Sequence, residues 1–162
     1  AGGTISIASE PGKGATISML LPRSLPQPDA EPVPAASAGR DTLKGLLVLL
    51  VEDDPSLNEL VGKMLEEQGT RVLAAGTAAE GLALFENNPV DAVLSDMVMP
   101  GEMGGLDLAR RMRAMRQDFP VVLMTGYSAA AEPAAAEGFT VLRKPFTMAA
   151  LATTLVESLR DR

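Results

Sequence analysis

The stretch Leu46-Leu47-Val48-Leu49-Leu50-Val51-Glu52-Asp53-Asp54-Pro55 decides the fold. Its apolar half has the length of one strand and does not alternate with polar residues, as a strand covered on both faces requires; such strands lie in the middle of parallel sheets. Pro55 suits the first helical position with Asp54 as its cap, and Leu57, Leu60, Val61, Met64 and Leu65 follow at i, i+3, i+4, i+7 and i+8 until Gly69 stops the helix. The stretch therefore reads as a buried strand, an acidic turn and a one-sided amphipathic helix.

The same alternation repeats downstream. A strand from Arg71 to Ala75 leads through a capping box, Thr77-x-x-Glu80, into a helix ending at Asn87. Strand Ala92 to Asp96, a helix from near Leu106 to Met115, strand Val121 to Thr125, a short Ala-rich helix, strand Thr140 to Arg143 and helix Met148 to Leu159 complete the set. Five strands alternating with five helices on short connections predict an α/β fold: a doubly wound, five-stranded parallel sheet flanked by helices. In such folds the site lies beyond the carboxyl ends of the strands.

Composition narrows the chemistry. Of 162 residues, 46% are apolar and 22% charged, enough to bury a core, while 3% aromatics leave that core to Leu, Val, Ala and Met. A net charge of -7 argues against nucleic-acid binding, which needs a basic surface. The absence of cysteine and histidine excludes disulfides, thiol chemistry, histidine-ligated zinc and the usual neutral-pH general base. No apolar stretch is long enough to span a membrane and Ala1 opens into a strand-like pattern, so the expectation is a cytoplasmic piece of a longer protein, with no membrane contact of its own.

Upstream of the repeat, Thr4-Ile5-Ser6-Ile7-Ala8-Ser9 and Thr16-Ile17-Ser18-Met19 alternate around the turn residues Glu10-Pro11-Gly12-Lys13-Gly14, predicting a β-hairpin ending at Leu21-Pro22. A lone hairpin is marginal in water, so this one reads as a remnant of a larger sheet. From Ser24 to about Thr42 the chain is dense in Pro, Ala, Ser and Asp and reads as an extended linker. The predicted organisation is hairpin 1–23, linker 24–43 and α/β domain 44–162.

The strand-end rule names the chemistry-bearing residues. They are Glu52, Asp53 and Asp54 after the first strand, Asp96 at the third, Thr125 at the fourth and Lys144 after the fifth. Carboxylates gathered this closely are tolerable at neutral pH only with one protonated or a divalent cation among them, and oxygen ligands make Mg²⁺ the natural choice. Such a site suits phosphoryl transfer, with Lys144 and Thr125 on the phosphoryl oxygens. Singly, each has a plainer reading: Glu52 and Asp54 as helix caps, Thr125 satisfying a backbone group, Lys144 as a surface lysine. Their coincidence at successive strand ends outweighs those readings.

Val51-Glu52-Asp53-Asp54-Pro55, Leu94-Ser95-Asp96-Met97-Val98-Met99-Pro100-Gly101, Met124-Thr125-Gly126 and Arg143-Lys144-Pro145-Phe146 together resemble the response-regulator receiver signature, over the segment from about Lys44 to Arg162. The resemblance implies a flavodoxin-like, doubly wound sheet of order 2-1-3-4-5. It implies Asp96 as phosphoacceptor, and Mg²⁺ held by Glu52, Asp53, Asp96 and the backbone carbonyl of Val98. It further implies Lys144 on the phosphoryl group after a cis Lys144-Pro145 bond, and Thr125 as the switch residue. Asp54 falls outside the ligand set and is expected to cap the helix. The position that commonly carries a strand-five aromatic is Val141, which puts the usual aromatic coupling in doubt, and Ser128 to Gly138 is short for a full fourth helix. Val98 and Tyr127 are expected to shield the acyl phosphate from water.

The segment Gly2-Gly3-Thr4-Ile5 to Leu20-Leu21-Pro22 is similar to the last two strands of a histidine-kinase ATPase domain, whose nucleotide-binding motifs are absent here. The parent implied is a hybrid sensor histidine kinase, itself free to be membrane-anchored. Its receiver would catalyse its own phosphorylation and dephosphorylation, taking the phosphoryl group from a phosphohistidine on a histidine kinase or phosphotransfer domain. It would pass that group to a downstream phosphotransfer protein or regulate the kinase. Two alternatives stand beside this reading: a non-phosphorylated pseudo-receiver serving as an interaction module, and an aspartate-nucleophile phosphatase, disfavoured because Val98 stands where a second acid is expected. The basic run Arg110, Arg111, Arg113 and Arg116 reads as a solvated helix face, and the nine methionines as core filler.

Overall fold

The computed structural model describes residues 4–10, 12, 14–20, 43–126 and 128–160. Tyr127, the predicted linker apart from Leu43, and Pro11, Lys13, Leu21 and Pro22 of the predicted hairpin lie outside the described residues. The chain falls into two compact units, Ala1–Pro34 and Ala35–Arg162.

In the first unit, β1 (Thr4–Glu10) and β2 (Gly14–Leu20) pair antiparallel, with Thr4 opposite Leu20 and Glu10 opposite Gly14. Gly12 and Gly14 take φ of +78° and +89°, values a side chain disfavours, which lets the chain reverse within the short connection. Ile5 stands opposite Met19 and Ile7 opposite Ile17, so the apolar residues share one side of the ladder.

The second unit runs β3 (Leu47–Val51), α1 (Pro55–Glu66), β4 (Arg71–Ala75), α2 (Ala78–Asn87), β5 (Ala92–Asp96), α3 (Gly105–Met115), β6 (Val121–Thr125), α4 (Ser128–Ala136), β7 (Thr140–Arg143) and α5 (Met148–Arg160). All strand pairings are parallel and the order is β4-β3-β5-β6-β7, the expected 2-1-3-4-5 when β3 is counted as the first. The winding reverses between β3 and β5, so the crevice predicted for the site opens at their carboxyl ends. Helix limits differ slightly from the sequence reading. Helix α1 closes at Glu66, three residues before Gly69, α3 begins one residue before Leu106, and α5 reaches Arg160.

The strand pattern explains the two layers. Leu47, Leu49, Val51, Val93 and Leu123 point to one side and pack with Phe85 of α2, Leu108 and Met112 of α3 and Ala134 of α4. Val48, Leu50, Leu94, Val122 and Met124 point to the other, meeting Val61 and Leu65 of α1 and Leu151 and Leu155 of α5. Each of these large side chains contributes roughly 1.5–3 kcal/mol on burial. Leu43, just ahead of the predicted domain start, is fully buried in the second layer.

Capping follows the sequence with one adjustment. Thr77 Oγ accepts the Glu80 N–H at 3.2 Å as a capping box requires, but the Glu80 carboxylate reaches the Gly76 N–H at 2.9 Å rather than that of Thr77. Helix α4 is nine residues long with Pro133 inside it, as short as anticipated. No helix among the described residues is long and apolar enough to cross a membrane.

The basic run on α3 is not a simple solvated face. Arg113 donates to the carbonyls of Glu137 (2.9 Å) and Gly138 (3.1 Å) while its guanidinium lies 3.6 Å from the Phe139 ring centre. Arg110 forks onto the Glu137 carboxylate, and Arg116 donates to the Phe85 carbonyl at 3.0 Å with its guanidinium over the Phe85 ring. These three tie α3 to the end of α4 and to α2, Arg110 from an exposed position; Arg111 is exposed too, beside Thr77, Pro100 and Met103.

Candidate functional site

Four of the five parallel strands deliver a site residue to the same end of the sheet. Glu52 follows β3 with only 2% of its surface exposed, Asp53 comes next, Asp96 ends β5, and Thr125 ends β6 and is buried. Lys144 follows β7, its main-chain N–H donating to the Thr125 carbonyl at 2.8 Å, and the Lys144-Pro145 bond is cis as expected.

The geometry converges on the lysine. Lys144 Nζ donates to Glu52 Oε2 at 2.7 Å and to Asp96 Oδ2 at 3.1 Å, linking carboxylates from two strands. Burial pushes the Glu52 carboxyl above its ordinary range; the Lys144 hydrogen bond opposes this without cancelling it, and the Asp96 charge reinforces it. Burial by itself would lower the Lys144 ammonium, but the hydrogen bonds to Glu52 and Asp96 outweigh it and leave the group above its ordinary value, hence charged.

Glu52, Asp53 and Asp96 each offer a carboxylate oxygen, and these atoms lie within 4.8 Å of one another. An all-oxygen set carrying three negative charges, one of them on a nearly buried glutamate, fits a hard divalent cation such as Mg²⁺. Asp54 stands outside the set: its carboxylate accepts from the N–H groups of Ser56 (2.8 Å) and Leu57 (3.2 Å) and caps α1.

Asp96 divides its two oxygens. Oδ2 takes the lysine, whereas Oδ1 has a long 3.4 Å contact from the Val98 N–H, too long to hold it firmly. Val98, on the loop two residues beyond, leaves its side chain largely exposed. Glu52, Asp53, Asp96 and Lys144 thus form one cluster, with Thr125 at the adjoining strand end.

Two residues that position the cluster escaped the sequence reading. A Cβ on Gly105 would stand 1.9 Å from the Asp96 carbonyl oxygen, so only glycine lets α3 seat against the end of β5. The pair Gly104-Gly105 ahead of a helix was the available hint. The second is Asn58, whose amide donates to the carbonyls of Glu52 and Ala75, and no local pattern marks it.

Comparison with known proteins decides the family. Residues 48–156 match the family described as response regulator receiver domain. The chain belongs to the response regulator receiver family. The sensor kinase CckA of Brucella abortus is 36% identical over 173 residues, covering 99% of this chain and 18% of that protein. The chain therefore spans less than a fifth of that relative's length. Among solved structures, a receiver domain protein from Clostridium thermocellum superposes with a TM-score of 0.67 at 29% identity, covering 71% of this chain and 94% of that one. The response regulator TrrA from Thermotoga maritima, solved in complex with Mg²⁺ and BeF, gives a TM-score of 0.66 at 28% identity over 70% of this chain and 99% of that one. As a receiver domain, the second unit works in phosphorylation-based two-component signalling.

Proposed function

We propose that Asp96 is the phosphoacceptor of this receiver and takes its phosphoryl group from a phosphohistidine on a histidine kinase or phosphotransfer domain. The observation that carries the reading is the bridge from Lys144 to both Glu52 and Asp96 within the acidic cluster. An Asp96 carboxylate oxygen attacks phosphorus; the new O–P bond forms as the P–N bond breaks, and the imidazole nitrogen leaves with the electron pair and takes a proton from solvent. No general base is needed, because a carboxylate nucleophile, unlike a hydroxyl, attacks without giving up a proton.

Glu52, Asp53, Asp96 and the Val98 carbonyl are the residues to hold Mg²⁺. The ion supplies charge neutralisation for the phosphoryl oxygens. Lys144 stays charged and moves from the bare Asp96 oxygen to a phosphoryl oxygen, while the Thr125 hydroxyl turns to a second one and biases the β6–α4 loop.

A donor must bring its phosphohistidine to the mouth of this cluster. Beside Glu52 and Lys144 lies a groove of about 450 Å³ lined by Leu57, Leu60, Val61, Met64, Pro145 and Phe146, an apolar patch of the kind that marks protein contacts and so supports docking of the donor here. The match to a sensor kinase across nearly the whole chain, hairpin segment included, supports a hybrid kinase as parent, with domains 1–23, 24–43 and 44–162 as set out from the sequence. A phosphotransfer protein downstream would take the group onward, with the parent kinase as the other regulated target. No observation favours a pseudo-receiver.

Intact mass after incubation with acetyl phosphate and Mg²⁺ tests the reading. One phosphoryl adduct on wild type and none on Asp96→Asn is expected; no adduct on wild type, with beryllofluoride also failing to bind, refutes it.

A further inference from the structure

The β3–β4 ladder ends where Val51 stands opposite Ala75, and one more rung follows as the Glu52 N–H donates to the Ala75 carbonyl at 3.1 Å. Past that rung a side chain takes over from the backbone. Asn58, one turn into α1 and half-buried, donates from Nδ2 to the Glu52 carbonyl at 2.9 Å and to the Ala75 carbonyl at 3.1 Å, which uses both hydrogens of its amide. Its own main-chain N–H donates to the Asp54 carbonyl at 2.8 Å, so the root of the side chain is held by the turn that its tip grips.

The carbonyl that Asn58 holds belongs to the peptide joining Glu52 to Asp53. Fixing that peptide plane fixes how the two acids splay relative to each other. An apolar side chain of the same size would leave both carbonyls without this donor, and an aspartate would set a carboxylate against them.

We infer that Asn58 is a positioning residue for the acidic pair, setting the orientation of Glu52 and Asp53 and through it the affinity for Mg²⁺; this rests on the magnesium reading above. Residues that orient metal ligands without touching the metal typically contribute about 10–100-fold in affinity. Asn58→Leu is therefore expected to weaken Mg²⁺ binding about tenfold or more, and Asn58→Ser, which keeps one donor, by less.

The experiment is calorimetric Mg²⁺ titration of the full chain as wild type, Asn58→Leu, Asn58→Ser and Asn88→Ala, each with its thermal midpoint. Asn88 donates to the Leu84 carbonyl at 2.9 Å at the far end of α2, so its loss costs stability without touching the acids. Weakened binding in both Asn58 variants, with Asn88→Ala binding as wild type, supports the inference, and Asn58→Ser alone carries the comparison should Asn58→Leu not fold. Wild-type binding accompanied by unchanged affinity in the Asn58 variants overturns the inference and leaves the magnesium reading standing. Failure of wild type itself to bind overturns both.

Discussion

Replacing Gly105 by alanine should cost this receiver more than any other single added methyl near the site. The new Cβ would fall 1.9 Å from the Asp96 carbonyl oxygen, 2.8 Å from its carbon and 2.9 Å from Met97 Cα, where ordinary contact begins at 3.4 Å. Backbone of a central strand cannot yield as a side chain tip can, so the start of α3 must retreat and stretch the 3.1 Å bond from the Gly105 N–H to the Met97 carbonyl. Losing that bond costs about 1 kcal/mol and overpacking about 2–3 kcal/mol more, roughly 3–4 kcal/mol together. In urea, with a slope of about 2 kcal/mol/M, the midpoint should fall by about 1.5–2 M. Gly126→Ala is the control, since its Cβ would meet nothing within 4 Å, and it should stay within about 0.5 kcal/mol of wild type. A Gly105→Ala midpoint within about 0.5 M of wild type, together with wild-type phosphorylation by acetyl phosphate, would refute the close-approach argument.

Lys144→Ala leaves the nearly buried Glu52 carboxylate without its ammonium, and with Lys144 itself partly exposed the loss should be about 1–3 kcal/mol in chelator, with part recovered on adding Mg²⁺; an unchanged urea midpoint in chelator would count against the bridge. Arg113→Ala loses two carbonyl bonds and the Phe139 stack and should cost about 1–2 kcal/mol, whereas Arg111→Ala should stay within about 0.5 kcal/mol; equal effects would restore the solvated-face reading. Val98→Asn should shorten the lifetime of the phosphorylated protein by admitting water beside the acyl phosphate, measured by decay of the mass adduct, and a longer lifetime would dismiss shielding by Val98.

How much of this was legible in the sequence depended on how local each signal was. The run Leu47 to Val51, the Asp54-Pro55 helix start and the Thr77-to-Glu80 capping box are short-range patterns, and the strands they implied appear at the expected residues. The strand-end rule then gathered Glu52, Asp53, Asp96, Thr125 and Lys144 without any knowledge of distances. What it could not reveal was the pairing inside the cluster: Lys144 and Glu52 are 92 residues apart, and their bond exists only because β3 and β7 point the same way. The solvated-face reading holds for the exposed Arg110 and Arg111 and fails for the half-buried Arg113 for the same reason, since Arg113 finds its partners across 24 and 25 residues in a loop whose position the helix periodicity says nothing about. Gly105 left only the faint mark of a glycine pair ahead of a helix, and Asn58 acts on the Ala75 carbonyl of a neighbouring strand, 17 residues away, which helix periodicity does not encode.

The apolar continuity of β3 has one more consequence. In a strand with one wet face, sliding by a single residue turns oily side chains to water and is penalised at once. Leu47-Val48-Leu49-Leu50-Val51 faces helices on both sides, and slipped by one place it would present much the same surface to each. Alignment must then come from polar marks at the two ends. At one end the Asp91 carboxylate accepts the Leu47 N–H at 2.8 Å, and at the other the Asn58 amide closes on the Glu52 carbonyl. Hydrophobicity thus places this strand in the middle of the sheet, and two polar side chains tell it where to stop.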